Sequence, residues 1–231
     1  MLVAPRSLKL RLPPACCAVV AIVVLVTHVT LPHPDGPDFE GLRALRFFTV
    51  WCFAGVAVYF VATAAHCIKA WEEVIFYTVA PPSLLTILVF WLIIFPSLPP
   101  RRQAHAFRVD EISMHALSVP ALVADALLCA PLEARAGRAP GLWLRPVAFT
   151  ASYLPFHWAW LAMDGRPVYA FLRPSIPWAG AIHAALLVLV LLCFHALRLL
   201  MLARSWCVAS QGLGPGTELI SETARTQTGS S

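Results

Sequence analysis

The stretch that decides the fold is Arg43–Cys67, RALRFFTVWCFAGVAVYFVATAAHC. It is apolar enough to cross a bilayer, yet its polar and small-polar side chains are not scattered. Thr49, Cys52, Tyr59, Thr63 and His66 follow one another at steps of three, seven, four and three, which places all five on one stripe of a helix. The other faces carry Phe48, Val50, Phe53, Val56, Val58, Phe60 and Val61. A polar stripe on a membrane helix must be turned toward protein or water, because hydrocarbon leaves its groups unsatisfied. The rest of the chain therefore has to supply a partner surface. The stripe is either interhelical glue or part of an active site.

Working outward, composition agrees with a membrane setting. Of 231 residues, 59% are apolar and only 13% charged, and mean hydropathy is +0.74. That is not the make-up of a soluble domain. It fits an all-α, polytopic integral membrane bundle of about six spans of ~20 residues. The expected spans are about 15–31, 44–67, 74–95, 112–129, 142–162 and 178–202, and the Ser/Thr/Gly-rich segment 209–231 reads as a disordered polar tail. The first span follows a basic leader with Arg6, Lys9 and Arg11 and could be a cleaved signal sequence. A retained span is the preferred reading, since the apolar run continues to Leu31 without a clear cleavage site. The net charge of +5 reads as orienting charge, and the distribution of Lys and Arg between loops leans toward both termini in the cytosol. No basic run with interleaved aromatics points to nucleic acid. The seven cysteines form no C-x-x-C pair, so neither a metal pattern nor a disulfide framework is expected.

In a six-span bundle, spans two, four and six run the same way. Thr49, His115 and His183 each lie one to two turns inside their starts, at similar depth, and His157 on span five reaches that level from the other direction. A hydroxyl is a weak nucleophile until a base takes its proton, and imidazole is the usual base. Against this, a span threonine ordinarily bonds its own i−4 carbonyl, and an intramembrane histidine is often a structural group. Asp125 is deep in span four and ten residues from His115, about 15 Å along the axis. It cannot orient His115 directly and reads better as an interhelical hydrogen bond. Tyr169 and Phe171, in the five–six loop, read as an interfacial aromatic belt or as a wall over the site.

Four segments in order, RFFTVWCFAGVAVYF around Thr49, APPSLLTILVFW in span three, SMHALSVPALVAD around His115 and GRPVYAFL at 165–172, resemble the androgen-induced-gene-one / androgen-dependent TFPI-regulating protein family. The resemblance covers about 44–172. It implies a six-span hydrolase of fatty acid esters of hydroxy fatty acids, with Thr49 as nucleophile after two aromatics and His115 as base, following Met114 and preceding Pro120. Asp125 falls where relatives can carry Glu. Cys52 stands where some relatives have an acidic residue, and Ala170 where a Tyr-Pro pair is common. The implied partners are the membrane and a lipid ester arriving from the bilayer, with no metal or organic cofactor. Supporting roles are open to Asp125, His157, Tyr169 and His183.

Two other classes remain on the sequence alone. Intramembrane histidines suit b-type haem, with His66 and His195 as one possible axial pair and His115 with His157 or His183 as another. A non-enzymatic membrane regulator would keep the bundle without turnover.

Overall fold

The computed structural model describes residues 12–31, 41–65, 69–128 and 141–210. The leader, the turn at 32–40, His66, Cys129, the loop to 140 and the tail beyond 210 lie outside the described residues. Those described are helical with no strand. The long helices are α1 (Leu12–Thr30), α2 (Phe48–Ala64), α3 (Lys69–Val89), α4 (Val109–Leu128), α5 (Leu144–Asp164) and α6 (Ala179–Ser210). α3 runs on through a π-turn, Phe90–Ile94, to Ser97. Short 3-10 turns, Gly41–Arg46 and Ala170–Leu172, precede α2 and α6.

Among the described residues, four helical stretches are long and apolar enough to cross a membrane: Pro13–Thr30, Trp71–Ser97, Val109–Leu128 and Ala179–Cys207. Their outer faces expose Val19, Val23, Leu92, Ile93, Leu192 and Leu199, which suits lipid rather than water. Trp71, Trp178 and Trp206 are exposed at helix ends, where indoles favour the membrane interface. α2 is apolar but shorter, at 17 residues.

The expected second span, 44–67, starts later as a helix. Phe47 is extended (φ −87°, ψ 127°), and the chain before it is the 3-10 turn. This moves Thr49 into the first turn of α2. The segment between the third and fourth expected spans is also partly helical, with a short helix Pro100–His105 and α4 already under way at Val109. Asp110 and Glu111 fall in the first turn of α4, where acidic side chains complement the helix dipole. Arg108 is extended just before it (φ −69°, ψ 155°).

The stripe on α2 does face inward: Thr49, Cys52, Tyr59 and Thr63 are all buried. The Thr86 hydroxyl on α3 lies 3.4 Å from Cys52 Sγ, and Tyr59 donates to Asp125 Oδ2 on α4 at 2.7 Å. The apolar faces are not all turned to lipid. Val58 and Val61 are exposed, whereas Val50, Phe53, Val56 and Phe60 are buried, because α2 is packed between α1 and α3. Gly55 permits the close approach to α3. A Cβ there would lie 2.6 Å from Val79 Cγ1.

α3 touches α2, α4, α5 and α6 and so holds the bundle together. Pro81 and Pro82 are both buried within it. Proline removes a backbone donor from the helix. Around the pair, Thr78, Ser83 and Thr86 donate to the carbonyls of Val74, Val79 and Pro82 at 2.6–2.7 Å.

Candidate functional site

The end of the bundle that receives the C-termini of α1, α3 and α5 and the N-termini of α2, α4 and α6 is organised by two π-turns, Phe90–Ile94 and Ser113–Leu117. Such turns frequently mark functional sites. Phe95 N–H bonds to Phe90 O, five residues back, ahead of Pro96. In the second turn, π register would pair the His115 carbonyl with residue 120, which is proline and has no N–H. Trp91 Nε1 supplies the missing donor at 2.7 Å from His115 O. Across the same gap the Phe90 ring stacks on the His115 imidazole, with centroids 3.7 Å apart and planes 12° from parallel. One π-turn thus fixes the backbone and ring of the other.

His115 is buried. Its Nε2 lies 3.2 Å from Glu111 Oε2, one helical turn earlier. A carboxylate can only accept, so Nε2 carries the hydrogen and Nδ1 the basic lone pair. Nδ1 has no hydrogen-bond partner among the described residues. A carboxylate-oriented base is one half of the arrangement that activates a hydroxyl.

Thr49 does not behave as the other span threonines do. Thr63, Thr78, Thr86 and Thr150 each donate to their i−4 carbonyl. Thr49 is the second residue of α2, so its i−4 residue, Leu45, lies outside the helix. The Leu45 carbonyl is occupied by Trp51 Nε1 at 2.7 Å. Thr49 instead shares the walls of two cavities with Tyr169. Burial pushes the Tyr169 phenol up to about 12, against the pull of the Thr49 hydroxyl and the Phe48 and Thr49 backbone N–H groups that hydrogen-bond toward it. Tyr169 is therefore a neutral O–H donor across the physiological range, set beside the uncapped N-terminus of α2. A neutral phenol held in place by first-turn N–H groups is a donor that can stabilise an oxyanion.

Thr49, Tyr169 and His115 line one cavity of about 300 Å³, together with Glu111, His28 and Arg102. A second, narrower cavity of about 60 Å³ is lined by Thr49, Tyr169 and His183 among mostly apolar side chains such as Leu85, Leu186 and Leu187. Thr49, Phe90, Ile94, Tyr169 and Phe171 belong to both walls. Thr49 therefore sits where a polar chamber meets an apolar one.

Of the other expected residues, His183 lines the narrower cavity, and Asp125 and His157 stand apart from both. Asp125 is held by Tyr59, the interhelical bond expected for it, and lines neither cavity. His157 is fully buried beside Tyr153, ring centroids 5.8 Å apart, and also lines neither. His183 Nδ1 is 2.6 Å from the carbonyl of Ala179 on its own helix. His195 is exposed on α6, and its expected haem partner His66 lies outside the described residues. Glu111 is not among the residues expected at the site, although its i, i+4 spacing to His115 is visible in the chain. Arg46 closes the end of the bundle. It pairs with Asp164 at 3.3 Å, and its carbonyl accepts the Tyr153 hydroxyl.

Comparisons with protein-family models, with curated proteins and with solved structures find no match to this chain.

If Tyr169 supplies the oxyanion donor, Tyr169→Phe should lower kcat for ester hydrolysis by about 10²–10³-fold with little change in KM. Steady-state kinetics on the purified variant would show it. An unchanged kcat would remove Tyr169 from the chemistry and leave it as a wall.

Proposed function

We propose that this protein is a multi-pass membrane hydrolase of lipid esters, with six spans, both termini in the cytosol, and Thr49 as nucleophile. The single observation that carries the reading is the state of Thr49. Its hydroxyl is not tied to its own helix, and it shares a cavity wall with a carboxylate-oriented imidazole. The ordered likeness of four segments to the androgen-induced-gene-one / androgen-dependent TFPI-regulating protein family supports the same pair and implies fatty acid esters of hydroxy fatty acids as substrates.

In this mechanism Thr49 Oγ attacks the ester carbonyl while His115 Nδ1 takes its proton. The oxyanion is met by the Tyr169 hydroxyl, which the first-turn N–H groups of α2 hold in place. Collapse breaks the bond to the alkoxide of the hydroxy fatty acid, which leaves with the proton from His115. A water molecule, deprotonated by His115, then attacks the acyl-threonine. The fatty acid departs and the proton returns to Thr49. The narrow apolar cavity suits the first carbons of the acyl chain, and the larger chamber suits the hydroxy acid. Substrate reaches both from the bilayer.

The reading is tested by treating the purified protein with an alkyl fluorophosphonate and mapping the adduct by mass spectrometry. The expected adduct is on Thr49, and it is lost in His115→Ala. Labelling confined to other residues would overturn the assignment.

A further inference from the structure

His28, near the end of α1, and Asp110 and Glu111, in the first turn of α4, bring one imidazole and two carboxylates together beside the larger cavity. Their ligand atoms all lie within 4.8 Å of one another. His28 is buried, with its side chain 4% exposed, and the Asp110 and Glu111 side chains are only 16% and 15% exposed. The three residues come from segments some eighty positions apart, so only the packing of α1 on α4 unites them.

The His28–Asp110 spacing is that of two ligands rather than of a hydrogen bond. His28 Nδ1 stands 3.6 Å from Asp110 Oδ2, beyond normal N–H···O contact. Two ligand atoms bound at ~2.1 Å to one tetrahedral Zn²⁺ are separated by about 3.4 Å. The remaining groups complete the pattern. Arg108 Nε holds the other Asp110 oxygen at 3.2 Å and so fixes the carboxylate. Glu111 Oε2 faces His115 Nε2 at 3.2 Å, the outer-shell pairing that commonly orients a metal-bound carboxylate. His28 and Glu111 both line the cavity, which gives a fourth coordination position, open to water. A cation also relieves the repulsion between two carboxylates held near one another in a partly buried site.

We infer that His28, Asp110 and Glu111 form a binding site for one divalent transition-metal cation, Zn²⁺ by ligand type, with an open position facing the chamber that contains Thr49 and His115. The site does not depend on the hydrolase reading, because it is defined by ligand geometry alone.

The full chain, purified in detergent and stripped with a chelator, is titrated with Zn²⁺ against a chromophoric chelator, and bound metal is counted by elemental analysis. One equivalent is expected. His28→Gln and Asp110→Asn should each weaken binding by more than about 10-fold, since even outer-shell losses cost 10–100-fold. Thr49→Ala should bind as wild type does, which separates metal binding from ester hydrolysis. Because a variant could fail by misfolding, Co²⁺ is added to the unmutated protein as well. An intense visible d–d band of a tetrahedral N/O site is expected, abolished by equimolar Zn²⁺. Absence of stoichiometric Zn²⁺ uptake by the wild-type chain, or uptake unaffected by both ligand substitutions, overturns the inference.

Discussion

Thr49→Ala is expected to reduce lipid-ester hydrolysis by at least ~10³-fold while leaving the bundle folded. The size follows from the chemistry. Removing a nucleophile leaves only binding and oxyanion stabilisation, and in comparable catalytic sets that residue is far below the intact rate. The stability side follows from the structure. Thr49 is not bound to its i−4 carbonyl, which Trp51 occupies, and it lies in the first helical turn, where alanine is tolerated. The thermal midpoint should move by the equivalent of about 1 kcal/mol or less. Thr49→Ser keeps the hydroxyl and should retain activity within about an order of magnitude of wild type. The pair of variants separates chemistry from packing. Hydrolysis at the wild-type rate by the alanine variant would end the threonine mechanism, and the haem and regulator readings would then be the ones to pursue.

The helices and the inward stripe were legible in the chain for a plain reason. Bilayer length and helical period both act on local sequence. Thr49, Cys52, Tyr59 and Thr63 are buried as their spacing requires, and Asp125 has the interhelical partner its depth demands. What escaped was set by other forces. The polar composition of 97–111 disguises the start of α4 and with it Glu111, although it is one turn from His115. The π-turns arise from Pro96 and Pro120 acting together with tertiary donors such as Trp91, and no periodicity announces them. The late start of α2, which frees the Thr49 hydroxyl, depends on one extended residue, Phe47. The cluster of His28 with Asp110 depends on how α1 crosses α4, which hydropathy does not encode.

Glu111→Gln probes whether the geometry around His115 has a catalytic purpose. The amide preserves shape, and its oxygen can still accept from Nε2, but the negative charge is gone. In the proposed cycle His115 becomes an imidazolium twice, once as Thr49 attacks and once as water does. The carboxylate 3.2 Å away stabilises that cation in the transition state and does little for bound substrate. A group of this kind affects kcat rather than KM. Substituting the corresponding carboxylate in the Ser-His-Asp triad, a reference system for this argument, costs about 10⁴-fold. Glu111 is partly exposed to the cavity, where water screens it, so a loss of about 10²-fold in kcat at constant KM is expected. The double variant Thr49→Ala/Glu111→Gln supplies the control. Residues that act as one unit are not additive, so once Thr49 is absent the glutamine should cost nothing further. A purely structural Glu111 would instead lower the thermal midpoint in both backgrounds and raise KM with kcat unmoved. That outcome would reduce the Glu111–His115 pair to packing at the end of the bundle and leave His115 without its orienting carboxylate.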